Sequence, residues 1–116
     1  MKRLDMSTIL SVRALIILFI AGCSQGHQPG SDADFYKDRG RAYLSKGQYD
    51  QAITDYSRAI ALQPGLAGAY NNRGIAYFLI KEYDNAWNDV KKAQDRGGQI
   101  NPEFLKKLRE VSGRES

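Results

Sequence analysis

The sequence predicts an all-α protein made of two helix-turn-helix units and one further helix. Residues 33–66 and 67–100 align at a spacing of 34 residues with eleven identical positions. Within each unit, large side chains recur every three, four or seven residues, which is the spacing of one face of an α-helix. After the second unit, Asn101, Pro102 and Glu103 supply an N-cap residue, a helix-starting proline and an acid at the positive helix end.

The two units repeat residue types that allow helices to pack closely. The identical pairs are Ala33/Ala67, Tyr36/Tyr70, Arg39/Arg73, Gly40/Gly74, Ala42/Ala76, Tyr43/Tyr77, Tyr49/Tyr83, Asp50/Asp84, Ala52/Ala86, Asp55/Asp89 and Ala59/Ala93. Glycine costs about 1 kcal/mol relative to alanine in a helix interior. The repetition of Gly40 and Gly74 therefore predicts that a neighbouring helix approaches closely there. Gly47 is predicted to end the first helix, and Asp50 and Asp84 to cap the second helices.

A period of 34 residues with these residue types resembles the tetratricopeptide repeat (TPR). The first unit has the order of that family, an aromatic, a glycine and a tyrosine followed by an alanine, a larger residue and an alanine, and Pro64 closes it. The second unit departs from the pattern, because Gly97 and Gly98 replace the proline-containing turn. The resemblance implies a short α-solenoid of two TPR units, at 33–66 and 67–100.

The second helix of each unit is predicted to bury one stripe and to expose the opposite face. The buried stripes have i, i+4, i+7 spacing and comprise Ala52, Tyr56 and Ala59 in the first unit and Ala86, Val90 and Ala93 in the second. The residues predicted to face water are Thr54, Asp55, Arg58, Asn88, Asp89 and Lys92.

Opposite charges recur at matching positions of the two units. We expect each arginine stem to cover apolar surface and its head to lie near a carboxylate of the adjacent helix. The expected pairs are Arg39 with Asp55 and Arg73 with Asp89. These pairs are interpreted as structural and not as catalytic.

Residues 101–116 are predicted to form a capping helix and a tail. The apolar stripe of this helix comprises Phe104, Leu105, Leu108 and Val111, and the charged residues predicted to face away are Lys106, Lys107, Arg109 and Glu110. A terminal helix of this pattern seals the last repeat on one side and contacts water on the other.

The first segment of the chain has the pattern of a secretory signal. Lys2, Arg3 and Arg13 precede an uninterrupted apolar run at residues 14–21. The run ends in Ile-Ala-Gly followed by Cys23, which resembles the bacterial lipobox. That resemblance implies a lipoprotein signal peptide at 1–22 and lipidation of Cys23. The alternative is a free thiol after an ordinary signal peptide or an uncleaved signal anchor.

The membrane association expected from this resemblance is a lipid anchor. An eight-residue apolar run is too short for a transmembrane helix, which needs about 20 residues. Several acyl chains on one cysteine give a stable anchor. Residues 23–32 have no apolar side chain to bury after the cysteine and are predicted to form a flexible tether. Ser24 resembles the outer-membrane sorting class, so the expected location is the outer membrane, facing the periplasm.

Composition argues against catalysis, metal binding and nucleic-acid binding. The chain has 116 residues, a formal charge of +4, one Cys and one His. A single thiol excludes an intramolecular disulfide and a zinc site built on several thiolates, and His27 lies in the predicted tether. Basic and acidic residues are interspersed, whereas nucleic-acid binding needs basic stripes. The sequence therefore predicts no enzyme, no catalytic residue, no cofactor and no metal.

The TPR resemblance implies that the first helix of each unit lines a groove for an extended peptide or a partner helix. The implied lining residues are Lys37, Arg41, Leu44, Asn71, Asn72, Ile75, Phe78, Leu105, Lys106 and Arg109. Asparagine amides can bind the backbone of an extended chain, and Ile75 and Phe78 would offer an apolar seat between basic walls. This combination fits a peptide with a hydrophobic anchor and acidic flanks or a free carboxylate.

Some members of the family hold a C-terminal carboxylate with a clamp of lysines and asparagines. Lys37, Asn72 and Lys106 match that pattern in residue type, whereas Arg41 and Pro102 replace an asparagine and a lysine. The clamp thus remains one alternative. The other is that these charges form a solvated face and that the asparagines bond an adjacent turn.

The function predicted from the sequence is a lipid-anchored adaptor or assembly factor of the bacterial envelope that binds a protein or peptide. The alternatives are a self-associating structural scaffold and an accessory subunit of a cell-wall enzyme. Stacked repeats usually need three or more units to close a core. The open end of the first unit, at Phe35 and Tyr36, is therefore expected to meet another copy, a partner or the membrane.

Overall fold

The computed structural model describes residues 29–114, which form five α-helices and no strand. The helices are α1 (Pro29–Ser45), α2 (Tyr49–Leu62), α3 (Ala67–Leu79), α4 (Tyr83–Asp95) and α5 (Pro102–Ser112). This order confirms the predicted fold class of two helix-turn-helix units and a final helix. The predicted signal peptide, Cys23 and the tether as far as residue 28 lie outside the described residues.

Helix α1 begins four residues before the predicted start of the first unit. Residues 29–32 are helical, whereas the sequence placed them in the tether. Proline is well suited to a first helical position because its φ angle is preset, and Asp32 lies in the first turn, where an acid complements the helix dipole. Among the helices described, none has the length and apolar character of a membrane span.

Helices α1 and α2 pack together as the first unit, α3 and α4 pack as the second, and α3 also packs against α2. The repeated glycines lie where these helices meet, as predicted. A Cβ atom on Gly40 would lie 2.8 Å from Cε1 of Tyr56. A Cβ atom on Gly74 would lie 3.3 Å from Cβ of Asp89 and 3.4 Å from the carbonyl oxygen of Ala86. Each glycine therefore allows the second helix of its unit to approach.

The core consists of two apolar clusters, one between α2 and α3 and one between α4 and α5. The first contains Ala52, Tyr56, Ala59 and Ala69, and the second contains Ala86, Trp87, Val90 and Leu108. All six members of the predicted stripes on the second helices are buried. On α5, Leu108 is fully buried, but Val111 is exposed, contrary to the prediction that it lies on the sealed stripe.

The turn inside each unit has the same hydrogen bonds although its central residue differs. Gly47 has a φ of 76°, and the N–H of Gln48 donates to the carbonyl oxygen of Tyr43 at 2.9 Å. In the second unit Lys81 has a φ of 66°, and the N–H of Glu82 donates to the carbonyl oxygen of Tyr77 at 2.9 Å. Both turns use a left-handed residue after the helix, a conformation that favours glycine.

The predicted caps at Asp50 and Asp84 are wrong. Helix α2 begins at Tyr49 and α4 at Tyr83, so Gln48 and Glu82 are the N-cap residues, and neither makes a side-chain cap hydrogen bond. Each of these helices begins two residues after the left-handed residue of the preceding turn. The two aspartates consequently lie in the first helical turn, where they act on the helix dipole.

Helix α5 begins as predicted and is held against α4 at its far end. Asn101 Oδ1 accepts a hydrogen bond from the N–H of Glu103 at 2.8 Å, and Pro102 is the first helical residue. Near the other end, Trp87 Nε1 donates to Ser112 Oγ at 2.8 Å. This bond joins α5 to α4 beside the cluster that contains Leu108.

Candidate functional site

Each unit contains a bidentate arginine–aspartate ion pair between its two helices. Arg39 Nε and Nη2 donate to the two carboxylate oxygens of Asp55 at 2.6 and 2.9 Å. Arg73 Nε and Nη2 donate to Asp89 in the same way, both at 2.8 Å. The predicted pairing is confirmed, and its hydrogen bonds raise the pKa of both arginines.

The two aspartates correct the predicted solvent face of the second helices. Asp55 and Asp89 are both buried, whereas both were predicted to face water. A buried carboxylate needs a partner, and each arginine supplies it with two hydrogen bonds. The guanidinium of Arg73 also lies over the rings of Tyr70 and Tyr77, at 5.7 and 5.8 Å.

An open cleft lies between the last turns of α3 and the start of α5. It has a volume of about 270 Å³. Its lining residues are Ile75, Phe78, Leu79, Asn101, Glu103, Phe104 and Lys107. The rings of Phe78 and Phe104 meet edge to face with centroids 5.5 Å apart. The two residues predicted as an apolar seat, Ile75 and Phe78, therefore do line an accessible hollow.

Other predicted groove residues contribute to the core or lie on separate surfaces. Leu44 packs on the first core cluster and Leu105 on the second. Lys106 lines a shallow hollow on α5 itself, and Arg109 lines another near the end of that helix. The cleft is lined by Lys107 and not by Lys106, and Lys107 is exposed, as predicted for the charged face of this helix.

The remaining predicted residues lie on α1 and on the first half of α3. Lys37 Nζ forms an ion pair with Asp34 at 3.1 Å, and Arg41 is exposed. Asn71 and Asn72 are half-buried, and Asn71 Oδ1 has no hydrogen-bond partner in the described part of the chain. None of these four side chains lines the cleft between α3 and α5.

Sequence reasoning missed five residues of this cleft, which are Leu79, Asn101, Glu103, Phe104 and Lys107. Four of them lie at or near the start of α5, which the sequence identified only as a helix start, a capping stripe and a charged face. The 34-residue period leads from Asn71, Asn72 and Ile75 to Leu105, Lys106 and Arg109. The cleft is instead lined by the residues around the start of α5.

Tyr56 of α2 lies in the first core cluster, where its ring packs against Gly40 of α1. Its hydroxyl is buried and has no hydrogen-bond partner among residues 29–114. Burial raises the pKa of Tyr56 to about 12, an effect that the positive charge of Arg41 and the side chain of Asn72 partly offset. The buried hydroxyl therefore destabilises the fold, because no neighbouring group replaces the hydrogen bonds that it makes to water in the unfolded chain.

A comparison with family models identifies the helical repeat. The model described as TPR repeat matches residues 40–81, which run from the middle of α1 through α2 and α3. This stretch of the chain is therefore similar to a TPR repeat. The match and the five helices agree with the TPR-like arrangement expected from the period.

The solved structures that are similar to this chain include a TPR domain. The first TPR of Spaghetti (RPAP3), determined with the HSP90 peptide SRMEEVD, superposes with a TM-score of 0.44 and 22% sequence identity. The likeness covers 72% of this chain and 93% of that domain. No curated protein matches this chain.

The described residues offer no evident metal site. Across residues 29–114, no group of three or more His, Cys, Asp or Glu side chains is placed to hold a metal ion. The buried aspartates are each engaged by an arginine.

Replacing Tyr56 with phenylalanine should raise the free energy of unfolding by up to about 1 kcal/mol at pH 7, because it removes a buried hydroxyl without a partner. The wild type should also lose stability as pH rises from about 10 to about 12, since the unfolded chain releases the Tyr56 proton first. Urea unfolding at several pH values measures both effects. A Tyr56→Phe variant with the same alkaline slope as the wild type would contradict this interpretation.

Proposed function

We propose that this chain is a protein-interaction module that binds a peptide or helix of a partner in the cleft between α3 and α5. The observation that carries the proposal is the accessible apolar lining formed by Ile75, Phe78 and Phe104. TPR repeats act as scaffolds whose stacked helices present binding surfaces, and the match at residues 40–81 supports that role. Binding, and not catalysis, is the function that such a surface serves.

The lining of the cleft specifies the chemistry of the ligand. Half-buried aromatic rings at Phe78 and Phe104 suit one apolar anchor side chain. Asn101 Oδ1 is occupied by the N–H of Glu103, so its amide nitrogen remains as a donor for a backbone carbonyl. Lys107 at the rim attracts one carboxylate next to the anchor, whereas Glu103 of the same lining repels a second one. The preferred ligand is a short segment with an apolar anchor and an acidic residue on the Lys107 side.

A two-carboxylate clamp forms no part of this proposal. The structure pairs Lys37 with Asp34 and places Lys106 on a different hollow from Ile75 and Phe78. A single apolar anchor with one lysine at the rim uses only groups that line the same cleft. The alternative of a self-associating scaffold predicts that variants at this cleft leave function intact.

The proposed setting is the bacterial envelope, where the module would act as a lipid-anchored adaptor or assembly factor at the outer membrane, facing the periplasm. The support comes from the sequence, in which basic residues, an apolar run and the order Ile-Ala-Gly precede Cys23. A lipid anchor and a flexible tether would raise the local concentration of the cleft near membrane partners.

The cleft is tested with arrays of synthetic decapeptides that carry one leucine or phenylalanine flanked by aspartates, or by lysines in a matched array. The protein should bind the aspartate array in preference to the lysine array. Lys107→Glu should weaken that binding about fivefold or more, because it replaces an attraction with a repulsion. Fluorescence anisotropy on the best peptides measures the affinity.

Lys91→Glu is the matched control, since Lys91 is exposed on α4 and lines none of this cleft. It should leave peptide affinity within about twofold of the wild type, which is the effect of a remote, screened surface charge. Equal binding to both arrays, or equal effects of the two lysine variants, would count against the proposed site.

The anchor is tested by metabolic labelling with a fatty-acid analogue. The wild-type chain should carry the label, and Cys23→Ser should lose it because the hydroxyl replaces the alkylated thiol. Ser24→Ala serves as the control and should retain the label. A labelled Cys23→Ser chain would contradict lipidation at this residue while leaving the cleft proposal untouched.

A further inference from the structure

The two ion pairs differ in one contact that connects neighbouring units. Arg73 Nη1 donates to Ser57 Oγ of α2 at 3.0 Å, in addition to its bonds with Asp89. Arg39 occupies the matching position in the first unit, and its Nη1 has no hydrogen-bond partner among the described residues. The Arg39 side chain is 39% exposed, whereas that of Arg73 is 15% exposed.

The residues around the two arginines also differ in solvent exposure between the two units. Ala69 is completely buried in the cluster with α2, but its counterpart Phe35 is 57% exposed. Tyr70 is buried, and its counterpart Tyr36 is only half-buried. The side chains on α1 therefore have the same register as those on α3, but no helix within residues 29–114 covers them as α2 covers α3. We name Phe35, Tyr36 and Arg39 the N-terminal face.

We infer that the N-terminal face is a second docking surface, separate from the cleft of the proposed function, and that it takes an amphipathic helix of a partner protein. The helix already seated on α3 gives the pattern for this occupant. In α2, Ser57 reaches Arg73, and Ile60 packs on the cluster with Ala69. Ile53 lies one turn before Ser57 on the same side of the helix.

The contacts of Ser57 define the polar group that the occupant must supply. Ser57 Oγ donates to the carbonyl oxygen of Ile53 at 2.7 Å and accepts from Arg73 Nη1. A helical serine or threonine whose proton is used within its own helix presents only an acceptor to a guanidinium. The occupant therefore carries an aliphatic residue, a hydroxyl residue four positions later and an aliphatic residue three positions after that.

Phe35 adds a constraint that the interface between the two units lacks. Its ring meets Tyr36 edge to face with centroids 5.4 Å apart and lies 5.4 Å from the guanidinium carbon of Arg39. Phe35 stands at the position that Ala69 has in the second unit, and its larger side chain fills space next to the incoming helix. The occupant consequently needs a small residue opposite Phe35.

The sequence disfavours an occupant from this chain. Among the described helices, only α2 carries the aliphatic-hydroxyl-aliphatic pattern, at Ile53, Ser57 and Ile60, and α3 already uses it. One period earlier, the matching positions are Phe19, Cys23 and Gly26, which supply neither the hydroxyl nor the second aliphatic side chain. A partner protein with this pattern is therefore the occupant that fits.

The test titrates the full chain with a hydrocarbon-stapled peptide of the α2 sequence, residues 49–62, followed by NMR of backbone amides and the Arg39 side chain. Shifts should appear at Phe35, Tyr36 and Arg39. A peptide with Ser57→Ala should bind about fivefold or more weakly, because it leaves the charged donor without an acceptor. Phe35→Glu in the protein should abolish binding, and it should fold normally because Phe35 is exposed.

Lys107→Glu is the matched protein variant and should bind the peptide like the wild type, so the test separates this face from the cleft. The inference is overturned if shifts fall only at the cleft of α3 and α5, or if Phe35→Glu binds normally. A dimer in sedimentation that Phe35→Glu dissociates would also overturn it, because the occupant is then a second copy. Protection of Arg39 in the wild-type monomer would do the same, because the occupant is then a segment of this chain.

Discussion

A buried carboxylate held by an arginine of the neighbouring helix is the constraint on which the rest of this structure depends. Asp55 and Asp89 lie in the interior, where an ion without a partner would cost several kcal/mol. Two hydrogen bonds from one guanidinium fix both the separation and the register of the helix pair. Gly40 and Gly74 follow the arginines directly and provide the space in which the second helices approach.

Two side-chain hydrogen bonds connect the second unit to the first. Arg73 of α3 donates to Ser57 of α2. Arg96 Nε, which follows α4, donates to the carbonyl oxygen of Pro64 at 2.6 Å. At the far end, the bond between Trp87 and Ser112 holds α5 on the second unit. The stack thus has a covered end at α5 and an incompletely covered face on α1. The two proposed binding surfaces follow from this asymmetry.

Features that repeat or that depend on a few neighbouring residues could be predicted from the sequence. The period, the close approach at Gly40 and Gly74, and the start of α5 at Asn101 belong to this group. The burial of Asp55 was missed because its charge assigned it to the solvent face, although it lies three residues after Ala52 and four before Ala59 on the same side of the helix. Its pairing with Arg39, sixteen residues earlier, is a second signal of the interior position.

The lining of the cleft was harder to predict because it depends on the rotation of α5. Contacts far apart in sequence set that rotation, namely Trp87 with Ser112 and Phe78 with Phe104. They place Lys107 at the cleft, whereas the 34-residue period placed Lys106 there. The failed caps at Asp50 and Asp84 have a similar origin, since the left-handed turns before them determine where each helix begins.

A double-mutant cycle on Arg73 and Asp89 tests the central claim most directly. Urea unfolding of Arg73→Met, Asp89→Leu and the double variant gives the coupling free energy, with circular dichroism to confirm that each variant is helical. Each single change should cost about 3–5 kcal/mol, and the double variant should cost less than their sum by about 2 kcal/mol. Additivity within about 0.5 kcal/mol would contradict a structure that depends on this pair.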